Sequence, residues 1–210
     1  MPSEPSIEKQ IQLALEILKQ GGIVAFPTDT VYGLGADPLN TQAVEKIYRV
    51  KRRPQTLPLP LLVADKPDLS KVAAMVPELA WQLAEHFLPG GLTLVLTKGP
   101  WVPSIVSAGG DTIAVRIPNH QITIALIQGL GAPIIGTSAN LSGKPSPVTA
   151  REVREQLGKG VDLIIDGGRC PGGLESTVID VSSNVPVLIR AGAVPRREIE
   201  KVCGFPLGKS

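Results

Sequence analysis

Apolar residues recur near the N-terminus at Ile7, Ile11, Ala14, Leu15 and Leu18. That spacing follows the helical period and predicts an amphipathic helix, capped by Ser6 and ended by Gly21-Gly22. The period then changes. Ile23-Val24-Ala25-Phe26 is a continuous apolar run of a length suited to a buried strand. Helical spacing returns over Thr41 to Val50, with Ala43, Val44, Ile47 and Tyr48 on one side. Pro58 and Pro60 interrupt the next apolar run, so its strand is expected to start near Leu61. Pro77 reads as the first residue of a helix striped by Leu79, Ala80, Leu83, Ala84 and Phe87, which Pro89-Gly90-Gly91 ends. Leu92 to Leu96 and Thr112 to Pro118 are strands separated by a loop over Trp101 to Gly110. Ile122 to Gln128 is a short helix, and Ile134-Ile135 closes a buried strand. Thr149 caps a helix running through Leu157. Val161 to Asp166 is a further strand, Val178 to Val181 and Val185 to Ile189 form a hairpin, and a last helix over Val194 to Val202 is entered at Pro195.

Composition limits the reading. A chain of 210 residues with 43% hydrophobic and 19% charged residues can bury a core and is not disordered. Its 22 Gly and 20 Pro are spread between apolar runs, which predicts many short loops. Aromatic residues are 3%, so base stacking cannot dominate any nucleic-acid binding. The net charge of +2 requires any basic binding surface to be local. Cys170 and Cys203 have neither disulfide-framework nor zinc spacing and read as thiols of a reducing compartment. Met1-Pro2-Ser3-Glu4 lacks a basic leader region, and no window holds eighteen uninterrupted apolar residues. The expectation is a soluble, cytoplasmic protein without a membrane segment.

Four stretches carry candidate chemistry. Ser138-Ala139-Asn140-Leu141-Ser142-Gly143 follows an apolar strand with hydroxyls and an amide, where open α/β sheets place ligands. Pro27-Thr28-Asp29-Thr30-Val31-Tyr32-Gly33-Leu34-Gly35 repeats that grammar after the strand ending at Phe26. Lys51 and Arg53 lie two residues apart and share no helical face; in an extended chain they point to one side and clamp a polyphosphate. Arg116 alternates with Thr112 and Ala114 on one strand face, where a buried cation needs a partner: a protein carboxylate or a substrate carboxylate gripped at two points. The Gly-rich run from Gly167 to Gly173 matches neither the P-loop nor the dinucleotide pattern. His86 and His120 lie outside these stretches, and no nucleophile–base pair stands out.

Together these pieces resemble the YrdC/TsaC family of threonylcarbamoyl-AMP synthases over about Ile23 to Gly192. The resemblance is carried by the Pro27–Gly35 run, the K-x-R-P element Lys51-Arg52-Arg53-Pro54 and Ser138-Ala139-Asn140. Ala114-Val115-Arg116-Ile117-Pro118, Glu175-Ser176-Thr177-Val178 and Ile189-Arg190-Ala191-Gly192 support it. It implies an α/β fold with a twisted open mixed sheet and flanking helices around a large, concave, positively charged cavity. It also implies a nucleotidyltransferase reaction: L-threonine, bicarbonate or CO2, and ATP give threonylcarbamoyl-AMP and pyrophosphate. That product feeds N6-threonylcarbamoyladenosine formation in tRNA through a downstream threonylcarbamoyl transferase complex. By similarity, Thr30, Arg116, Ser138 and Ser176 hold threonine. Arg53, Thr112, Asn140 and Arg190 bind ATP, Lys51 and Arg53 serve the phosphates in catalysis, and Mg2+ accompanies the nucleotide. Some members carry Asn where Leu57 stands and His where Leu62 stands, which implies a drier pocket here. Longer members carry a second domain, so residues 1–210 are expected to form the single-domain type. Two other readings are a duplex-RNA or tRNA-binding module of this fold and a related carbamoyl-transfer enzyme with another acceptor.

Overall fold

Ser6 accepts a hydrogen bond from the Lys9 amide and starts helix α1 (Ile7–Lys19), which buries Ala14, Leu15 and Leu18. The structure, a computed structural model, describes residues 5–183 and 185–209. Met1–Glu4, the stretch whose sequence lacks a basic leader, lies outside them. After α1 come β1 (Val24–Phe26), β2 (Gly33–Gly35), α2 (Thr41–Lys51), β3 (Leu61–Leu62), a single turn α3 (Leu69–Val72) and α4 (Glu78–Phe87). Then follow β4 (Leu92–Thr97), β5 (Thr112–Arg116), α5 (Gln121–Leu130), β6 (Ile134–Ile135) and β7 (Thr137–Ser138). The chain ends with α6 (Ala150–Leu157), β8 (Leu163–Ile164), β9 (Thr177–Asp180), β10 (Val187–Arg190), α7 (Arg196–Cys203) and β11 (Gly208–Lys209).

The expected mixed α/β architecture with flanking helices is present, its strands divided between two sheets. One has the order β7-β2-β1-β8 and the other β11-β10-β9-β4-β5-β3-β6, each with parallel and antiparallel neighbours. Ile135 ends β6 in the larger sheet and Thr137 begins β7 in the smaller, so the chain changes sheets across Gly136. Alternation gives β4 and β5 two different faces. Leu92, Leu94, Leu96, Ile113 and Val115 face the main core and are at most 1% exposed. Thr93, Val95, Ala114 and Arg116 face the other way, into a cavity. A smaller apolar cluster joins α1, α5 and β1 through Leu18, Leu126 and Phe26.

Several boundaries differ from the sequence expectation for identifiable reasons. Gly33-Leu34-Gly35 is a strand, paired antiparallel with β1, because the Phe26 ring lies over both glycines: an added Cβ would fall 2.8 Å from it at Gly33 and 2.6 Å at Gly35. Thr137-Ser138 is likewise a strand, paired with β2. Pro77 and Pro195 are cap residues in extended conformation, so their helices begin at Glu78 and Arg196. Only Leu163 and Ile164 of the 161–166 run pair with β1, and the hairpin partner starts at Val187. Among the described residues no helix is long and apolar enough to cross a membrane.

Candidate active site

A cavity of about 610 Å3 opens between the sheets. Its lining includes Thr30, Lys51, Arg53, Arg116, Ser138, Asn140, Ser176 and Arg190, side chains drawn from stretches far apart in the sequence. Thr112 is the exception among the expected residues. It shares the cavity-facing side of β5 but sits at the strand's far end opposite Thr97, beyond Ala114 and outside the lining.

At one end the cavity is built from hydroxyls and a guanidinium. Arg116 is buried, and its Nε donates to the Gly90 carbonyl at 2.9 Å. One terminal nitrogen donates to Thr30 Oγ1 at 2.8 Å, and the other to Asp29 Oδ1 at 2.7 Å. The protein carboxylate that a buried arginine requires is therefore Asp29, itself fixed by the Asn119 amide at 3.0 Å. Burial lowers the Arg116 pKa and Asp29 opposes that shift. Five N–H donors less these three leave one on each terminal nitrogen, the set a bidentate carboxylate takes. Thr28 orders the strand end by accepting from the Thr30 and Val31 amides and donating to the Val31 carbonyl. Ser176 Oγ lies 2.7 Å from Thr93 Oγ1 and accepts from Arg190 at 3.2 Å.

The other end is cationic. The chain is not extended here, as alternation of Lys51 and Arg53 would require: helix α2 closes at Arg52, whose left-handed φ of 51° turns the chain so that both side chains reach the cavity. Lys51 is 1% exposed. Its ammonium donates to the Ser138 carbonyl, to the Asn140 carbonyl at 2.8 Å and to Asn140 Oδ1 at 3.2 Å. Burial, aided by the Arg53 cation and opposed by Glu175, pushes its pKa down to about 7. All three Lys51 donors are used on the 138–140 loop, so its charge reaches a ligand across that loop. Asn140 Oδ1 also accepts from Ser138 Oγ at 2.6 Å, and its amide donates to the Lys144 carbonyl at 2.6 Å. Arg53 donates to the Leu57 and Pro58 carbonyls at 3.3 and 2.9 Å. Leu57, Pro58, Pro60 and Leu62 make that flank apolar.

Sequence reasoning left several cavity residues without a role. Thr93 was recoverable from alternation on its strand. Glu175 stood in the Glu-Ser-Thr run, yet nothing local shows that it faces cations. Ser142 lines the cavity, and its Oγ is buried without a hydrogen-bond partner among the described residues. Cys170 is buried and its thiol pKa is pushed up to about 11 by that burial, so it is inert.

The comparisons bear on this architecture. The model of the Sua5, YciO and YrdC proteins, described as "Telomere recombination", matches residues 16–192. The chain belongs to the Sua5/YciO/YrdC family. It is 47% identical to the threonylcarbamoyl-AMP synthase of Pyrococcus abyssi over 197 residues, covering 94% of this chain and 58% of that protein. It is 45% identical to the threonylcarbamoyl-AMP synthase of Bacillus subtilis, covering 94% and 57%. Among solved structures, P. abyssi Sua5 complexed with L-threonine superposes with a TM-score of 0.93 at 45% identity, covering 99% of this chain and 61% of that one. The chain thus spans about three fifths of the length of these Sua5/YciO/YrdC relatives.

Proposed function

We propose that this chain is an L-threonylcarbamoyladenylate synthase, a nucleotidyltransferase that joins threonine, bicarbonate or CO2, and ATP with release of pyrophosphate. The observation that carries the reading is the convergence, in one 610 Å3 hollow, of a hydroxyl–guanidinium end and a cationic end. That volume lies in the range of small-molecule sites. The names of the relatives and the threonine complex of the P. abyssi protein support the same choice.

In this reading Arg116 offers its two remaining N–H groups to the threonine carboxylate, while Thr30 and Ser176 orient the amino acid. Ser138 and Asn140 stand at the junction with the nucleotide, whose phosphates meet Arg53 and Arg190 and the charge of Lys51. The neutral threonine amine adds CO2 and loses an N–H proton to water, which leaves an anionic carbamate. A carbamate oxygen then forms a bond to the α-phosphorus as the bond to the pyrophosphate leaving group breaks. Carbamate is already an anionic nucleophile, so no protein nucleophile is required. The protein's part is to hold two anions in line and offset their repulsion. Mg2+ enters as part of the nucleotide substrate. Service to tRNA modification through a transferase complex, in the cytoplasm, follows from the same reading.

The deciding experiment is pyrophosphate release from ATP with bicarbonate, with and without L-threonine. Release should depend on threonine. Equal release with serine or with no amino acid would remove the synthase reading and leave a carbamoyl-transfer relative with another acceptor. Arg116→Ala should raise the KM for threonine by roughly tenfold or more, the loss expected for a charge-assisted bidentate contact, and leave ATP affinity nearly unchanged.

A further inference from the structure

The cavity contains a carboxylate that the proposed reaction does not use. Glu175, next to Ser176, is the one acidic residue lining it among the described residues. One oxygen accepts from Ser146 Oγ and the other is paired with a terminal nitrogen of Arg190. Arg190 is otherwise committed to Ser176: Nε to its carbonyl at 3.2 Å, and the second terminal nitrogen to that carbonyl at 2.9 Å and to Oγ at 3.2 Å. One N–H remains, on the nitrogen that holds Glu175. A phosphate therefore cannot grip Arg190 at two points while Glu175 stays in place. The same carboxylate helps to keep Lys51 and Arg53 charged against burial, so its field covers the whole cationic end. Its side chain is 31% exposed, which leaves it a route to water once released.

We propose that Glu175 is a resident counter-ion, holding Arg190 and Ser146 until an incoming polyphosphate displaces it, and so sets how much negative charge a ligand must carry to occupy the cationic end. A monophosphate brings too little charge to displace a well-paired carboxylate. Pyrophosphate and nucleoside triphosphates bring several charges and more acceptor oxygens. Displacement opposes binding, so removal of the carboxylate charge strengthens it. This inference rests on the reading of the cationic end as a polyphosphate site.

The test is calorimetric titration of the whole chain with metal-free inorganic pyrophosphate and with AMP, for wild type, Glu175→Gln and Glu175→Ala. Glutamine keeps the shape without the charge and retains one acceptor oxygen for Arg190, its NH2 donating to Ser146 Oγ instead. Both variants should bind pyrophosphate about tenfold more tightly, with a larger gain for AMP, so that the preference between the two narrows. A damaged fold cannot produce a gain in affinity. In the unaltered chain, the carboxyl-carbon resonance of Glu175 should shift as pyrophosphate is added. Wild-type binding with unchanged or weaker binding in the variants, or an unmoved resonance, overturns the inference and leaves the synthase reading intact. A wild type that binds no pyrophosphate overturns both.

Discussion

Lys51 shows how one side chain serves both structure and charge. Its ammonium ties the end of α2 to the 138–140 loop, and its own carbonyl accepts from the Ser142 amide at 2.9 Å. Its pKa of about 7 lies below the ordinary 10.5 because burial disfavours the charged form. The unfolded chain therefore holds more protons than the folded one between those values. Stability contributed by this group rises with pH through that window and is level on either side of it. The difference in urea stability between the wild type and Lys51→Met should show that rise across the window, because the raised Cys170 pKa acts in the opposite direction above about 9 in both chains. The same variant should lose about 1–3 kcal/mol, because it leaves the loop's acceptors unsatisfied. That Lys51 and Arg53 face one cavity was expected from their spacing, but through an extended chain, whereas a left-handed Arg52 brings it about. The partners of Lys51 were not legible, since its acceptors, two backbone carbonyls and the Asn140 side-chain oxygen, are contributed 87 and 89 residues away.

At the scale of elements, the β6–β7 crossing packs closely on β3. A Cβ added at Gly136 would lie 2.2 Å from Leu62 Cγ, and Leu62 is 2% exposed. Gly136→Ala should therefore cost about 1–3 kcal/mol by overpacking. In a Leu62→Ala background most of that cost should vanish, and a double-mutant cycle by chemical denaturation measures the coupling. Long periodic elements such as α1, α2, β4 and β5 were readable because their apolar spacing records a single buried face. The glycine strand β2 was not. Glycine has no strand preference of its own, and only the ring of Phe26 across the pair explains why two glycines belong there.

At the scale of the whole molecule, a net charge of +2 conceals a local excess of cations, because Lys51, Arg53, Arg116 and Arg190 converge on one hollow. No property of the composition reveals that convergence; the ordered motifs did, through the resemblance they carry. Enclosed cations are screened weakly by salt, whereas a duplex lying across a surface releases a counter-ion for each phosphate neutralised. Threonine-dependent pyrophosphate release should therefore change only a few-fold when salt is raised from low to about physiological strength. Any duplex-RNA binding, followed by fluorescence anisotropy, should fall by roughly a thousandfold over the same range if it engages six or more phosphates. The passage from one sheet to the other over a single glycine leaves the backbone no slack. Inserting one residue there would slide Ser138 and Asn140 past Arg116 by about 3.3 Å and turn their side chains to the opposite side. The exposed tip of the loop between β4 and β5, at Gly109 to Asp111, could absorb extra length; at this junction, residue count is itself part of the recognition geometry.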